Sequence, residues 1–222
     1  MTAAFRVEVL GATHARDAFA CGVDALDAYF ARQATQDVRR RASACYVAVE
    51  TSTGRVAGYY TLAAGGVPLT DLPDALAKRL PRYPSVPVAR VGRLAVDKAF
   101  HGQKLGGALL ADAAIRALRS EVAVFALVVD AKDDAAQAFY LHHGFERFGT
   151  KARQLIVSLK HFAQEAHDGR QASNQCRPRS RRLHHDHCRL LRSQEPLVRV
   201  RGAGPRATKR SSSHAVPSRS HA

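Results

Sequence analysis

Three glycines crowd the segment HGQKLGGALL, residues 101–110, where a helix begins. An interior glycine costs a helix about 1 kcal/mol relative to alanine, so their number requires a reason. The free N–H groups at a helix N-terminus bind anions, and the helix dipole adds to the attraction. Gly102 and Gly106 leave room for a phosphate, and Lys104 adds a positive charge, while Gly107 lies on the apolar face that packs against a strand. The segment therefore predicts a phosphate-binding turn, with an ordinary tight turn as the alternative.

Two common phosphate-binding motifs are absent from the sequence. Neither GxxxxGK[ST] nor GxGxxG occurs, so neither a nucleoside-triphosphate loop nor a dinucleotide fingerprint is expected. Any phosphate bound at this turn must belong to another kind of ligand.

The elements that position the turn follow from hydrophobic periodicity. Their order is β-α-β-β-α-β-α-β-α-β, which predicts an α/β domain: a mixed sheet with helices on both faces. Strands are expected at residues 5–10, 44–50, 55–64, 88–96, 122–129 and 153–160. Helices are expected at residues 21–41, 70–80 and 105–119, and from Asp133 or Asp134 to Gly144. On the third of these helices, Asp112 and Arg116 fall on the polar face.

Charge divides the chain at Phe162, its last aromatic residue. Residues 1–162 hold 21 Lys and Arg against 15 Asp and Glu, a net charge of +6, and residues 163–222 hold 13 against 4. A segment rich in Arg, Ser and Pro without aromatic residues buries too little surface to offset its ordering entropy. We therefore expect one folded domain, residues 1–162, and a basic, disordered tail, residues 163–222. The tail segment RRLHHDHCR, residues 181–189, has no supporting fold, so no metal site is expected there.

Four cysteines at positions 21, 45, 176 and 188 are too scattered for a disulfide framework, which favours a reducing cytoplasm. The first residues lack the charged and apolar regions of a secretory signal. The longest apolar runs fall far short of the roughly 20 residues that a membrane helix needs. The sequence therefore predicts a cytoplasmic protein without a membrane contact.

Three motifs together resemble the GCN5-related N-acetyltransferase (GNAT) family. QKLGGA, residues 103–108, resembles the family's (Arg/Gln)-x-x-Gly-x-(Gly/Ala) signature. GRLAVD, residues 92–97, resembles its fourth strand, and FYLHHGF, residues 139–145, resembles its FYxxxGF segment. The resemblance spans residues 5–160 and implies the GNAT acyl-CoA N-acyltransferase fold. In this family the cosubstrate acetyl-coenzyme A lies in a gap between two parallel strands.

The resemblance also implies where the cofactor lies. The backbone N–H groups of Gln103 to Ala108 would hold the pyrophosphate, and Leu94 and Val96 would pair with the pantetheine arm like an added strand. Asp133 stands where many members have an asparagine that contacts the cofactor. The expected cofactor-binding residues are Leu94, Ala95, Val96, Gly102, Gln103, Lys104, Leu105, Gly106, Gly107, Ala108, Asp133 and Ala136.

Acetyl transfer to an amine requires a neutral amine, a donor for the oxyanion and a proton for the leaving thiolate. By resemblance, Tyr140 is the catalytic acid that supplies this proton, because a phenol with a pKa of about 10 stays protonated at neutral pH. The backbone N–H of Val96 is the expected oxyanion donor. His101, His142 and His143 are candidates for a general base by residue type only. An α-amino group has a pKa of about 7.7, and that of an esterified amino acid is lower still, so such a substrate is largely neutral without a base.

The N-terminal half resembles one branch of the family. Residues 19–41, 58–67 and 80–97 resemble the acetyltransferase toxins of bacterial toxin–antitoxin pairs, which acetylate the amino acid on charged tRNA and block translation. The implied partners are aminoacyl-tRNA and a small ribbon-helix-helix antitoxin, and a homodimer is typical of this branch. Clustered arginines suit an RNA substrate. Those expected to contact tRNA are Arg93 first, then Arg90, Arg82, Arg39 and Arg40.

Three functions remain open on the sequence. The first is acetylation of aminoacyl-tRNA by a toxin, and the second is acetylation of a small-molecule or protein amine by the same fold. The third is nucleic-acid binding without catalysis. Few carboxylates cluster near the site, which disfavours a pocket for a polyamine or an aminoglycoside. As an alternative to RNA contact, Arg39 and Arg40 cap a helix C-terminus and stay solvated.

Overall fold

The computed structural model describes residues 4–160 and residue 162. The expected tail, with its histidine cluster, lies outside the described residues. The described strands are β1 (Phe5–Val9), β2 (Ala44–Glu50), β3 (Val56–Pro68), β4 (Ser85–Val96), β5 (Ala126–Asp130), β6 (Glu146–Arg147) and β7 (Gln154–Ser158). The described helices are α1 (Asp24–Arg32), α2 (Ala34–Arg39), α3 (Asp74–Ala77), α4 (Leu105–Leu118) and α5 (Asp134–His142). Short 3-10 turns occupy Leu69–Asp71 and Lys98–Phe100.

The strands form one sheet in the order β1-β2-β3-β4-β5-β7-β6. Among the described strand pairs, β4 and β5 alone run parallel, and the others are antiparallel. A parallel pair needs a crossover connection, and α4 supplies it here. The predicted α/β class, with a mixed sheet, is therefore confirmed.

Helices cover both faces of the sheet. On one face, α4 and α5 pack in a single apolar cluster with Ala89 and Val91 of β4 and with Val129 of β5. On the other face, α1 and α2 pack over β2 and β3, and α3 packs near Val88 of β4 and Val128 of β5. Because side chains alternate along a strand, the β4 and β5 residues of the first cluster lie on the opposite side of the sheet from those of the second. We call them the α4–α5 face and the α1–α3 face.

A gap opens between the two parallel strands. Their last pair joins Val91 of β4 to Val129 of β5, although β4 itself continues. Beside this point the β3–β4 register shifts between Thr61 and Leu62, which leaves Gly92 of β4 as an extra residue. Such a bulge bends a strand and increases its twist. Beyond Val91, β4 therefore turns away from β5.

Several element boundaries differ from those predicted, among them the start of β4 at Ser85 instead of residue 88 and the bounds of α3, Asp74–Ala77 instead of residues 70–80. The expected helix 21–41 divides at Gln33 into α1 and α2, and the strand expected from residue 122 begins only at Ala126. Val122 is 70% exposed, because the residues before Ala126 form the connection from α4 and not part of the sheet. An apolar run alone does not distinguish a buried strand from the approach to it.

The polar face predicted for α4 is wrong at Asp112. Its carboxylate is buried and accepts hydrogen bonds from the Tyr60 hydroxyl (2.5 Å) and from Arg116 Nε (2.7 Å). The Arg116 guanidinium carbon lies 4.1 Å from the centroid of the Tyr46 ring, which stacks on Tyr60. A buried carboxylate is tolerated when it is paired and hydrogen-bonded. The network ties α4 to β2 and β3.

Candidate active site

The edge of β4 that faces the gap presents backbone groups to it. The N–H of Arg93 donates to Thr61 Oγ1 (3.0 Å), and the N–H of Asp97 donates to a β3 carbonyl (2.9 Å). Because backbone groups alternate in direction along a strand, the N–H and C=O groups of Leu94 and Val96 point the other way, into the gap. An extended ligand can pair with such an edge as an added strand.

The turn before α4 has the conformation of an anion-binding loop. Gly102 has φ 76°, and a Cβ placed there would meet nothing within 4 Å, so the space beside it is open. Lys104 is the N-cap residue of α4, with φ 58° and no side-chain hydrogen bond to the helix. This left-handed conformation costs a residue other than glycine roughly 1–2 kcal/mol. The first N–H groups of α4 have no partner within the helix and are available to an anion, but that of Ala108 donates to the Lys104 carbonyl oxygen (3.3 Å).

The glycines at the start of α4 face different neighbours. A Cβ at Gly106 would lie 3.5 Å from an aromatic ring of α5 and 3.9 Å from a side chain of β4. A Cβ at Gly107 would lie 3.0 Å from His143 Cε1. The prediction that Gly107 lets α4 approach a strand is therefore wrong, because Gly107 makes room for the ring of His143, the residue that follows α5. The close approach of α4 to the sheet occurs at Gly58 of β3, where a Cβ would lie 2.9 Å from Leu109 Cδ1.

Tyr140 lies on α5 in the apolar cluster of the α4–α5 face. Its ring centroid is 5.2 Å from that of Phe139 and 5.4 Å from that of Phe145. The side chain is 8% exposed, and burial raises the pKa of its hydroxyl to about 12. Within the described part of the chain, no residue hydrogen-bonds to this hydroxyl. At neutral pH Tyr140 is therefore a protonated donor whose O–H is not committed to another protein group.

Asp133 and Ala136 form the start of α5. Asp133 is the N-cap residue, and its carboxylate accepts a hydrogen bond from the Ala136 N–H (2.7 Å). Lys132 also pairs with this carboxylate, and the Lys132 hydrogen bond, followed by that of Ala136, lowers the pKa of Asp133. Such a cap stabilises the start of a helix. The Asp133 carboxylate is thus engaged in capping α5, and its contact with a cofactor stays a prediction.

The comparisons with known proteins identify the family. Residues 41–147 match the family described as an acetyltransferase (GNAT) domain. The tRNA-acetylating toxin of Mycobacterium tuberculosis is 35% identical over 144 residues, which cover 64% of this chain and 84% of that relative. The chain belongs to the GNAT acetyltransferase family. The resemblance predicted from the three motifs is confirmed.

Solved structures share the fold of this acetyltransferase. The structure of AtaT complexed with acetyl-methionyl-tRNAfMet has a TM-score of 0.68 and 26% identity, and the match covers 73% of this chain and 99% of that one. The structure of AtaTR bound with AcCoA has a TM-score of 0.62 and 25% identity, with 73% and 98% covered. The predicted GNAT fold is confirmed. The boundary at residue 162 stays a prediction.

Two of the arginines predicted to contact RNA lie beside the gap. Arg90 and Arg93 belong to β4, and both side chains lie on the α1–α3 face. The Arg93 guanidinium carbon is 3.5 Å from the centroid of the Tyr29 ring of α1. Arg90 Nη1 is 2.5 Å from Asp130 Oδ2 at the end of β5. Tyr140 therefore lies on one face of the sheet and the two arginines lie on the other.

The other three arginines lie apart from this pair along the chain. Arg39 and Arg40 are exposed at the C-terminal end of α2, and Arg82 is exposed in the segment before β4. Beside the end of α2, a cavity of about 330 Å³ is lined by Arg41, Ser43 and residues 62–64 of β3. The positions of Arg39 and Arg40 fit a helix cap as well as an RNA contact, so RNA contact by these arginines stays a prediction.

The three histidines occupy different places. His101 Nε2 lies 2.9 Å from the carbonyl oxygen of Val96, so its ring closes the end of the gap-facing edge. His143 packs between α4 and α5 against Gly107. His142 is exposed. The contacts of His101 and His143 are accounted for by hydrogen bonding and packing, and a role as general base stays a prediction.

Sequence reasoning missed Asp97, which fastens the chain before α1 to the end of β4. Its buried carboxylate accepts hydrogen bonds from the N–H groups of Ala99 (2.9 Å) and Ala20 (3.0 Å). An acidic residue directly after an apolar strand and before a helical turn is a capping pattern that the sequence displayed.

The described residues contain neither a membrane helix nor a metal cluster. No helix among them is long and apolar enough to cross a bilayer. No group of three or more His, Cys, Asp and Glu side chains among them could hold a metal ion.

Proposed function

We propose that this acetyltransferase moves the acetyl group of acetyl-coenzyme A to the α-amino group of aminoacyl-tRNA and thereby blocks translation. The observation that carries the proposal is the gap between β4 and β5, with the protonated Tyr140 on one face and Arg90 and Arg93 on the other. The name of the M. tuberculosis relative and the acetyl-methionyl-tRNA in the AtaT structure support this choice of acceptor. Arginines on the face opposite Tyr140 suit an acceptor that carries phosphates.

The residues present fit acetyl-coenzyme A. The space beside Gly102 is open, and Gly106 lies between β4 and α5 without a side chain. The backbone edge at Leu94 and Val96 faces the gap, where amide groups of a pantetheine arm would pair with it. In addition, the buried Oε1 of Gln103 has no hydrogen-bond partner among the described residues, so a donor supplied by a ligand would satisfy it.

The order of β4 and α4 along the chain indicates the direction in which acetyl-coenzyme A would lie. The start of α4, which would hold the pyrophosphate, comes directly after the end of β4. A pantetheine arm that extended from this site along β4 would therefore point toward the last β4–β5 pair, Val91 and Val129. Its acyl end would lie where the two strands separate.

The chemistry uses groups on both sides of the gap. Bound acetyl-coenzyme A supplies an activated thioester acetyl group. The first gap-facing N–H beyond the bulge belongs to Leu94, which is nearer to the strand separation than Val96. We therefore propose that the backbone N–H of Leu94 donates a hydrogen bond to the thioester oxygen. The sequence resemblance had given this role to the N–H of Val96. Tyr140 donates its proton to the departing sulfur, and the amine enters from the α1–α3 face.

The remaining partners belong to the same proposal. A toxin that acts on charged tRNA works in the cytoplasm and needs an inhibitor in the cell that makes it. We propose a ribbon-helix-helix antitoxin in this role, and a homodimer as the assembled enzyme. The structurally similar AtaTR, solved with bound AcCoA, supports the proposal that this enzyme has a protein partner.

One assay tests the acceptor directly. The full chain is incubated with acetyl-labelled acetyl-coenzyme A and a pool of charged tRNA, and the label in the RNA fraction is counted. Uncharged tRNA and charged tRNA with a formylated amino group are the controls. Label on charged tRNA alone supports the proposal. Label on a free amine or a protein lysine, with none on charged tRNA, contradicts the proposal. The Tyr140→Phe variant then shows whether any observed transfer uses the proposed acid.

A further inference from the structure

An ion pair that the proposed chemistry does not use lies at the point where the parallel strands separate. Arg90 Nη1 is 2.5 Å from Asp130 Oδ2, and the two side chains are 32% and 54% exposed. Arg90 is level with Val128 in the strand register, directly before the last pair of Val91 and Val129. Asp130 is the first residue of β5 beyond that pair.

The side chain of Asp130 lies on the face from which the acceptor would enter. Val129 belongs to the cluster of the α4–α5 face, and Val128 belongs to the cluster of the α1–α3 face. Because side chains alternate along β5, Asp130 shares the α1–α3 face with Val128 and Arg90. Ligands of open α/β sheets bind outside the carboxyl ends of the strands where neighbouring connections diverge, and Asp130 is such a strand end.

One oxygen of this carboxylate is held by the protein and the other is not. Oδ2 accepts the hydrogen bond from Arg90. Oδ1 has no hydrogen bond to any residue that the structure describes. A carboxylate oriented through one oxygen presents the second oxygen in a fixed direction, which is what alignment of an incoming N–H group requires.

We propose that Asp130 receives and orients the acceptor amine through Oδ1, and that Arg90 is the positioning residue that holds the carboxylate. This inference rests on the proposed function, since it places the acyl end of the cofactor at the Val91–Val129 separation. An amine bound to Oδ1 enters from the α1–α3 face, and its lone pair is directed into the gap. Arg90 therefore has a partner within the protein, Asp130, in addition to its predicted contact with RNA.

The transfer balances with these groups. The amine nitrogen forms a bond to the acetyl carbon, and the bond from that carbon to sulfur breaks with its electron pair leaving on sulfur. The nitrogen loses one proton to the Asp130 carboxylate, and the sulfur gains one proton from the Tyr140 hydroxyl. Asp130 then releases its proton to water and Tyr140 regains one, which leaves an amide, a free thiol and an unchanged enzyme.

Matched variants of the full chain test this assignment. Asp130→Asn keeps the shape but removes the charged acceptor, Asp130→Glu keeps the carboxylate, and Asp134→Asn is the control. Asp134 lies on α5 with a side chain 87% exposed and pairs with Arg153. We expect Asp130→Asn to lower kcat about 10- to 100-fold while the Kd for acetyl-coenzyme A stays within about twofold. Asp130→Glu should recover part of the loss, and the control should behave as wild type.

The outcomes separate this inference from the proposed function. If wild type acetylates no charged tRNA, the proposed function fails, and the same variants are then compared on whichever amine wild type does acetylate. If Asp130→Asn lowers the melting temperature but leaves kcat unchanged, the ion pair is only a tie between strands and the inference is overturned. Equal kcat for wild type, Asp130→Asn and Asp134→Asn overturns it as well.

Discussion

The Arg93 guanidinium lies over the ring of Tyr29, with 3.5 Å between its central carbon and the ring centroid. The Tyr29 hydroxyl donates a hydrogen bond to Asp37 of α2 (2.9 Å). A residue of β4 beside the gap is thereby fixed to α1 and α2, two of the three helices on the α1–α3 face. A side chain held in this way has already lost the rotamer freedom that it would otherwise lose on binding RNA.

The close contact between the Arg93 guanidinium and the Tyr29 ring predicts that lysine cannot replace Arg93. Lysine keeps the charge but not the planar group that stacks on an aromatic ring. We expect Arg93→Lys and Arg93→Ala each to lower the unfolding free energy by about 0.5–2 kcal/mol and to raise KM for charged tRNA. Chemical denaturation and steady-state kinetics measure the two effects. Arg82→Ala is the control, because Arg82 is exposed. It should weaken the salt dependence of KM without a loss of stability. Equal losses of stability in the Arg82 and Arg93 variants would contradict the role given to the Arg93–Tyr29 contact.

The buried hydroxyl of Tyr140 predicts a variant that folds but does not turn over. Tyr140→Phe removes the proposed acid, and no described hydrogen bond is lost with it. We expect kcat to fall about 10²- to 10⁴-fold, with the Kd for acetyl-coenzyme A and the melting temperature nearly unchanged. Single-turnover kinetics with a binding titration checks this. Full activity in the variant would remove Tyr140 from the mechanism.

The raised pKa of Tyr140, about 12 against an ordinary 10.0, predicts a loss of stability in alkali. Between these pH values the unfolded tyrosine loses its proton while the folded one keeps it, so stability is complete below pH 10 and declines as the pH rises toward 12. We expect the difference in unfolding free energy between wild type and Tyr140→Phe to shift against wild type by about 2–3 kcal/mol over this range. Urea titrations of both proteins at pH 8 and pH 12 measure it. A constant difference would mean that the hydroxyl is solvated.

Two glycine-to-alanine changes should have opposite effects. At Gly58 a Cβ would lie 2.9 Å from the backbone oxygen of Ala95 and from Leu109 Cδ1, so Gly58→Ala should destabilise the fold by about 1–3 kcal/mol. At Gly106 the nearest atoms are 3.5 Å away, so alanine fits and gains up to about 1 kcal/mol of helix propensity. The added methyl group still enters the proposed cofactor space. Gly106→Ala should therefore fold well and bind acetyl-coenzyme A at least about tenfold more weakly, and unchanged binding would place the cofactor elsewhere.

The left-handed backbone of Lys104 predicts a stability difference between two small residues. Lys104→Ala keeps the strain of φ 58°, whereas Lys104→Gly removes it at the cost of a more flexible unfolded chain. We expect the glycine variant to be more stable than the alanine variant by about 1 kcal/mol. Both lose the ammonium charge, so both should bind acetyl-coenzyme A more weakly than wild type by the same factor. Calorimetry gives the first quantity and a titration the second.

The parts of this site that sequence could predict are local ones. HGQKLGGALL carries its turn, its helix start and its positive charge within ten residues, and FYLHHGF places Tyr140 and ends α5 at Gly144 (φ 80°). Neither prediction required knowledge of which strands are neighbours. Their joint occurrence was enough to indicate the family.

The parts that sequence could not predict depend on contacts across the fold. Helical spacing puts Asp112 on a polar face, but Tyr60, far away in the chain, buries it with a hydrogen bond. The same spacing cannot show that Gly107 faces α5. Asp130 had no distinguishing pattern either, because its partner Arg90 lies 40 residues earlier. Strand register brings Arg90 to Asp130, whereas the packing of α4 against β3 and α5 creates the other two contacts.

The extra residue at Gly92 acts as a phase shift in the pleat of β4. In an uninterrupted strand, side chains three residues apart lie on opposite faces, yet Arg90 and Arg93 share one. If Gly92 were instead paired in a regular ladder, Arg93 would turn to the α4–α5 face and Leu94 to the α1–α3 face, whereas deleting Gly92 would remove the bulge and leave both on their present faces. In the proposed mechanism, the polyanionic acceptor and the acyl donor would thus lie on separate sides of one sheet because of a single extra residue, and that residue has no side chain.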